Sequence, residues 1–204
     1  STAVKTIARY LKRTEDKGTY FEQDPYLNDP DDCFRLDCFV DADFAGLYKQ
    51  EPDRSPAGAK SRTGYIIRLA GNPLIWKSKL QTEISLSTLE SEYSALSQAM
   101  RQLLPLRKLI LELMLTLHTG DILKTMIKCT VFKDNNGALI LATNQRITSR
   151  TKYFHAKWHH FWHHVTNGDV EVLKIATTKQ LADYLTKGLT REAFEYLRKQ
   201  VQGW

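Results

Sequence analysis

Apolar and polar positions along the chain alternate between two periods. Short apolar runs bounded by turn residues predict strands at 34–41, 63–70, 126–133 and 170–176. One more strand, with a bulge, is predicted from 74–79 continuing into 84–86, after a turn at Gly71-Asn72-Pro73. Between these runs the spacing becomes helical. Val4, Ile7, Ala8 and Leu11 form a stripe over residues 2–13, with Lys5, Arg9, Lys12 and Arg13 on the other positions. Residues 14–33 are polar, contain Pro25 and Pro30, and read as a hairpin edge or linker. A second loop, rich in Pro, Gly and charge, runs from about Gly46 to Arg62.

Ser87-Thr88-Leu89-Glu90 is a capping box, with Ser at the N-cap and Glu three residues on. It opens a long helix whose stripe is Leu89, Tyr93, Leu96, Met100 and Leu103. Pro105 is expected to break or kink it before a second segment reaches about His118. Further helices are predicted from Asn136, over 154–166 with Asn167-Gly168 as its stop, over 179–187, and over 191–201. The order is an opening meander of three strands followed by alternating helices and strands. It implies an α/β fold: a five-stranded mixed sheet, three antiparallel strands plus two parallel ones, with helices on both faces.

Composition adds little to that picture. The chain has 204 residues, 42% hydrophobic and 25% charged, with a net charge of +6 and a pI near 9.2. The charge suits a polyanionic partner, although many basic proteins bind no nucleic acid. Cys33, Cys38 and Cys129 lack zinc spacing and read as free thiols of a reducing compartment. No apolar run approaches membrane-spanning length, no signal peptide is visible, and the first residue is not Met, as in a fragment of a longer polypeptide.

The candidate chemistry lies in carboxylates. Two of the apolar runs end in aspartate, Cys38-Phe39-Val40-Asp41 and Thr130-Val131-Phe132-Lys133-Asp134. Each Asp alone is ordinarily a turn residue. Two of them at the ends of neighbouring parallel strands share the sheet rim where α/β proteins bind ligands. On the long helix, at about 100° per residue from Leu89, Glu92 falls at about 300°, on the shoulder of the buried face. Glu90 falls at about 100°, away from that face, and is used by the cap. Asp183 lies in the first turns of a later helix, where a favourable charge near the helix dipole is its ordinary reading. Convergence of all four has an economical explanation: oxygen ligands for hard divalent cations. Two such ions about 3.5–4 Å apart can clamp the attacking water and leaving oxygen of a phosphodiester.

Several stretches together resemble a known family. They are Asp41-Ala42-Asp43-Phe44-Ala45-Gly46, Ser61-Arg62-Thr63-Gly64-Tyr65, Ile75-Trp76-Lys77-Ser78-Lys79 and Leu86 through Leu96. They continue with Asp134-Asn135-Asn136-Gly137-Ala138, Ser149-Arg150-Thr151-Lys152, Gln180 through Lys187, and the end from Arg191 to Trp204. In this order they resemble the ribonuclease H domain of copia-type LTR retrotransposon polyproteins. Residues 1–33 resemble the end of the reverse transcriptase and its connection, and 34–204 the ribonuclease H domain with its C-terminal helical tail.

The resemblance implies a ribonuclease H-like fold and hydrolysis of the RNA strand of RNA–DNA hybrids with two Mg²⁺ ions, for which Mn²⁺ substitutes. Asp41, Glu92, Asp134 and Asp183 match the family's catalytic and metal-binding positions. Asp41 would bridge both ions, Glu92 and Asp134 would help hold one, and Asp183 the other. Asp43 is the near miss of the first. Asn136 matches a position that reads the minor groove. Other members usually carry a His just before the last Asp, but residues 175–179 contain none, as in many copia-type domains. The implied partners are the hybrid and the reverse transcriptase portion of the same polyprotein, with no membrane. The implied setting is an intracellular, cytoplasmic virus-like particle, with a nuclear stage left open.

Candidate substrate contacts are Asn135 and Asn136 beside Asp134, Ser87, Thr88 and Ser85 at the helix mouth, and Arg62, Lys77, Lys79 and Lys152 for phosphates. His155, His159, His160, His163 and His164 lie off the apolar arc of Trp158, Phe161, Trp162 and Val165. Zinc binding by their i,i+4 pairs, a polar face along the DNA strand helped by Lys152 and Lys157, and plain surface are the three readings. Two rivals stay open: a catalytically weak module that binds or scaffolds hybrid, and an integrase or transposase core, whose Glu comes later in the chain.

Overall fold

The computed structural model describes residues 2–23, 34–48, 56–117, 127–144 and 159–204. Helix α1 (Thr2–Arg13) buries none of its side chains, so its apolar stripe is exposed. Five strands follow: β1 (Phe34–Asp43), β2 (Arg62–Leu69), β3 (Asn72–Leu80), β4 (Ile127–Lys133) and β5 (Glu171–Lys174). They form one mixed sheet in the order β3-β2-β1-β4-β5, with β1, β2 and β3 antiparallel and β4 and β5 parallel to β1. This is the expected ribonuclease H-like arrangement: a meander, then crossovers.

Helices cover both faces. Leu36, Cys38 and Val40 of β1 point into a core with Tyr93, Leu96, Met100 and Leu103 of α2 (Thr88–Leu117) and Leu141 of α3 (Asn136–Asn144). Short α4 (Trp162–Thr166) packs on that side too. The alternate residues Phe39 and Ile66 face Leu181 and Ala182, before α5 (Asp183–Thr186), and Leu197 and Val201 of α6 (Arg191–Gln202). Cys38 and Cys129 are buried free thiols, as expected, whereas Cys33 lies outside the described residues.

Several boundaries differ from the sequence expectation. β1 runs on to Asp43, because its end keeps pairing with β2 (Asp41↔Gly64, Asp43↔Arg62) after pairing with β4 has stopped at Phe39↔Phe132. The hairpin turn is Ala70-Gly71, not Gly71-Asn72-Pro73. Both residues have positive φ (50° and 79°), the twist a two-residue hairpin loop needs. Asn72 and Pro73 belong to the edge strand β3, and 84–86 is not a strand. α2 is one helix through Pro105. Apolar contacts of Tyr93 to Leu103, and of Leu106 and Ile110 beyond, outweigh the ~3 kcal/mol an interior proline costs.

The predicted helix 179–187 is instead a 3₁₀ turn at Thr177–Lys179 and the short α5. The described part of the predicted helix 154–166 is helical only from Trp162. Residues 20–22 are pinned rather than paired in a hairpin: Asn72 Nδ2 donates to Glu22 O and Asn72 Oδ1 accepts from Glu22 N, both at 2.8 Å.

Candidate metal centre

The site forms where β1 and β4 part. Beyond Phe39↔Phe132 the two strands splay, and side chains replace ladder bonds. Gln180 Nε2 donates to Val40 O (3.1 Å) and to Phe132 O (3.3 Å), and Lys133 Nζ donates to Val40 O (3.0 Å). Gln180 is fully buried and ties the segment before α5 to both strand ends.

Around this gap stand the predicted carboxylates. Asp41, on β1, is 1% exposed. Its Oδ2 accepts from Thr186 Oγ1 and lies 3.3 Å from Lys187 Nζ, while its buried Oδ1 has no partner. Glu92 reaches in from the first turns of α2, whose start is capped: Ser87 Oγ accepts from Glu90 N (3.1 Å) and Glu90 Oε2 from Leu86 N (2.7 Å). Asp134 directly follows β4. One carboxylate oxygen from each of Asp41, Glu92 and Asp134 lies within 4.8 Å of the others. Asp183, first residue of α5, stands outside that trio. Its Oδ1 accepts from Lys187 Nζ (3.0 Å), so Lys187 bridges it to Asp41.

Crowding of carboxylates out of water raises their affinity for protons. Burial pushes Glu92 up to about 7, with Lys133 pulling down and the Asp41 and Asp134 charges pushing further up. Burial and the Asp41 charge push Asp183 up to about 6 against the pull of Lys187. Lys187 is itself raised, the Asp41 and Asp183 contacts overcoming the burial that lowers it. Three converging carboxylates, with an unpartnered buried oxygen on Asp41, fit a hard divalent cation.

Two lysines already answer part of that negative charge. Lys133 is fully buried, its Nζ 2.5 Å from Glu92 Oε2 and 3.4 Å from Asp134 Oδ1. Sequence reasoning missed both lysines as members of the site. Lys187 was legible as the i,i+4 partner of Asp183. Lys133 left only a weak sign, a lysine closing an apolar strand. Gly64 was also missed. It pairs with Asp41, and a Cβ there would lie 2.6 Å from Thr186 Cγ2 and 3.0 Å from Leu185 Cβ. Only a glycine lets α5 come this close.

Both decoys stay out: Glu90 serves the cap, and Asp43 is not in the trio. Asn135 caps α3, its Oδ1 accepting from Ala138 N (2.9 Å), whereas Asn136 is exposed at the start of that helix. Ser87 and Thr88 are exposed at the mouth of α2, but Ser85 is buried and donates to Gln81. The phosphate candidates do not share one face. Lys77 and Lys79 pair with Tyr65 and Thr63 on the α2 side, while Arg62 alternates with Gly64 on the α5 side and contacts Ser78 Oγ (3.3 Å).

Lys152, Lys157, His155 and Trp158 lie outside the described residues. The described histidines do not assemble. His159 Nδ1 meets Tyr93 Oη (2.8 Å), His164 Nδ1 meets Asp169 Oδ2 (3.0 Å), and His163 Nε2 meets Asn167 Nδ2 (3.0 Å). With His159 and His160 in a turn before α4, the pairs His159/His163 and His160/His164 do not lie on one continuous helix, and the pair with His155 falls outside the described residues. Asp41, Glu92 and Asp134 are the one metal-capable cluster among the described residues.

No protein-family model matches the chain. Among curated proteins it is 32% identical over 200 residues to the retrovirus-related Pol polyprotein from transposon TNT 1-94 of Nicotiana tabacum, and 30% identical over 199 residues to that from transposon RE2 of Arabidopsis thaliana. Each match covers 98% of this chain but only 13% and 12% of the relative, so the chain spans about an eighth of these polyproteins. Among solved structures, LC11-RNase H1, isolated from compost by a metagenomic approach, aligns at a TM-score of 0.45 and 18% identity over 80% of this chain and 96% of that one. Along nearly its whole length, therefore, the chain is homologous to one segment of the retrovirus-related Pol polyproteins of plant transposons.

Proposed function

We propose that this chain is a copia-type ribonuclease H domain that hydrolyses the RNA strand of RNA–DNA hybrids during reverse transcription. The observation that carries the reading is the Asp41, Glu92 and Asp134 trio, drawn from three separate elements, with a buried, unpartnered Asp41 oxygen. Asp41, Glu92 and Asp134 would hold one divalent ion, and Asp41 with Asp183 the second, Mg²⁺ in each case with Mn²⁺ as a substitute. Bound there, such ions supply positive charge to the scissile phosphate and lower the pKa of an attacking water.

The chain's own residues do the positioning. Asp41 is held from β1 and oriented by Thr186, and α5 carries Asp183 against it. Lys187, about a third exposed and held by Asp41 and Asp183, would turn toward an incoming phosphate. Asn136 would read the minor groove, and Ser87 and Thr88 would meet sugar or phosphate at the mouth of α2. Arg62 and Lys79, at the site end of the sheet, and Lys77, further along β3, would take phosphates on the two sides of the sheet. Lys152 is assigned by resemblance alone. In this reading residues 1–33 close the reverse transcriptase, the same polyprotein's polymerase holds the hybrid, and the work is done inside a cytoplasmic virus-like particle.

Cleavage of a labelled hybrid in Mg²⁺, Mn²⁺ and EDTA, beside Asp134→Asn, tests the proposal. Metal-dependent cutting of the RNA strand, lost in the folded variant, is expected, with little cutting of duplex DNA. Wild-type rates in Asp134→Asn would refute the site. One observation favours a second reading, a catalytically weak hybrid-binding module: Lys133 and Lys187 neutralise the very carboxylates that metals need. Hybrid binding without cleavage at any Mg²⁺ concentration would select it.

A further inference from the structure

Lys133 takes no step in the cleavage chemistry above, yet it is the most deeply buried charge among the described residues. Its entire side chain is buried at the end of β4, on the α2 side of the sheet with Cys129 and Val131. Three oxygens hold its ammonium: Glu92 Oε2 at 2.5 Å, Val40 O at 3.0 Å and Asp134 Oδ1 at 3.4 Å. Val40 O is the carbonyl left unpaired by the splay of β1 from β4, and Gln180 holds it from the other side. The ammonium thus closes a backbone gap and a charge gap at once. Lys187 differs: about a third of its side chain is exposed.

Two of the three groups that hold Lys133, Glu92 and Asp134, are carboxylates of the metal-capable trio. An ion bound to Glu92 Oε2 at Mg²⁺ distance would lie within about 4.6 Å of the ammonium.

We propose that the Lys133 ammonium is a resident counter-cation of the metal centre, seated on Glu92 and Asp134, that weakens divalent-cation binding to the trio. The inference rests on the trio being a metal site, as in the functional reading above. Its consequence is a chain that stays folded without metal and takes up Mg²⁺ weakly. Even at the dielectric constant of water, a unit and a double charge about 4.6 Å apart repel by the equivalent of about a 20-fold change in affinity. In this buried setting the effect is larger.

The test is calorimetric titration of MgCl₂ and MnCl₂ into the full chain at pH 8, wild type against Lys133→Met, with circular dichroism to verify the fold. Methionine keeps the length of the stem and removes the charge. The expected result is tighter binding in the variant, by at least about tenfold. A folded variant with unchanged or weaker affinity overturns the proposal while leaving the metal site itself standing. No binding to either protein at millimolar metal overturns both the proposal and the functional reading.

Should the variant not fold, the wild type supplies the measurement. The Lys133 ¹⁵Nζ resonance, from an ammonium shielded from water, is followed through an Mg²⁺ titration. It is expected to shift in step with saturation, and a resonance that stays still at saturation overturns the proposal.

Discussion

Replacing Gly64 by alanine adds a single methyl group at the point where α5 rests on β2. That Cβ would meet Thr186 Cγ2 at 2.6 Å, Leu185 Cβ at 3.0 Å and the carbonyl of Ala182 at 3.2 Å. Carbon atoms settle at about 3.5–4.0 Å, so α5 must retreat by about 1 Å. Overpacking of this size costs about 1–3 kcal/mol. The lower backbone entropy of alanine returns about 0.5–1 kcal/mol, leaving a net loss of up to about 2.5 kcal/mol, centred near about 1 kcal/mol.

The retreat also carries Asp183, Thr186 and Lys187 away from Asp41, all three being held to it or to one another by hydrogen bonds and ion pairs. A displacement of that size at a reacting centre lowers rate by about 10²-fold. Urea unfolding gives the first quantity and hybrid cleavage the second. Adding Thr186→Ser removes the methyl in closest conflict and keeps the hydroxyl on Asp41, so the double variant should regain part of both. Full activity and a stability within about 0.5 kcal/mol of wild type in Gly64→Ala would refute the claim that close approach of α5 organises the site.

Two further outcomes follow from the geometry. The folded chain holds a proton on Glu92 up to about pH 7, whereas the unfolded chain releases it near 4.5. Stability of the metal-free protein therefore falls by about 3 kcal/mol from this group as pH rises through that window, and is flat in this respect above it. Asp183 adds a decline of the same sign, ending near pH 6. Half-buried His159, lowered by that burial, acts in the opposite sense. The difference between wild type and Glu92→Gln in urea midpoint from pH 4.5 to 8 isolates the Glu92 share, and a difference that does not change with pH would contradict it. Gln180→Leu removes the amide that bridges the splayed strands, leaving Phe132 O and Ala182 N without its contacts. It should cost about 1–3 kcal/mol, and a loss under about 0.5 kcal/mol in the same unfolding assay would show the bridge to be dispensable.

Much of the architecture was readable because its signals are local. Apolar runs bounded by turn residues marked β1 and β2, and the Ser87–Glu90 box marked the start of α2 to the residue. Helical spacing separated Glu92 from Glu90, and the structure places them as that spacing required. Errors came where a remote partner overrode a local rule. Pro105 lies within α2 because apolar contacts on both sides of it outweigh its helix-breaking cost. Asp43 extends β1 because β2 continues beside it. The helix expected over 154–166 starts, among the described residues, only at Trp162, because residues 159–161 form a turn.

By itself, then, the sequence determined the strands, the capped helix and the placing of Glu92 rather than Glu90 toward the sheet, since each depends on neighbours within a few residues. Tertiary structure alone decided what the carboxylates meet. Lys133 lies 41 residues from Glu92, and Gly64 lies 122 from Thr186, so neither pairing leaves a periodic trace. Whether a buried carboxylate faces water, an ammonium or a metal ion is settled by how the sheet splays and how closely α5 packs on it. Those are properties of the assembled layers, not of any one segment.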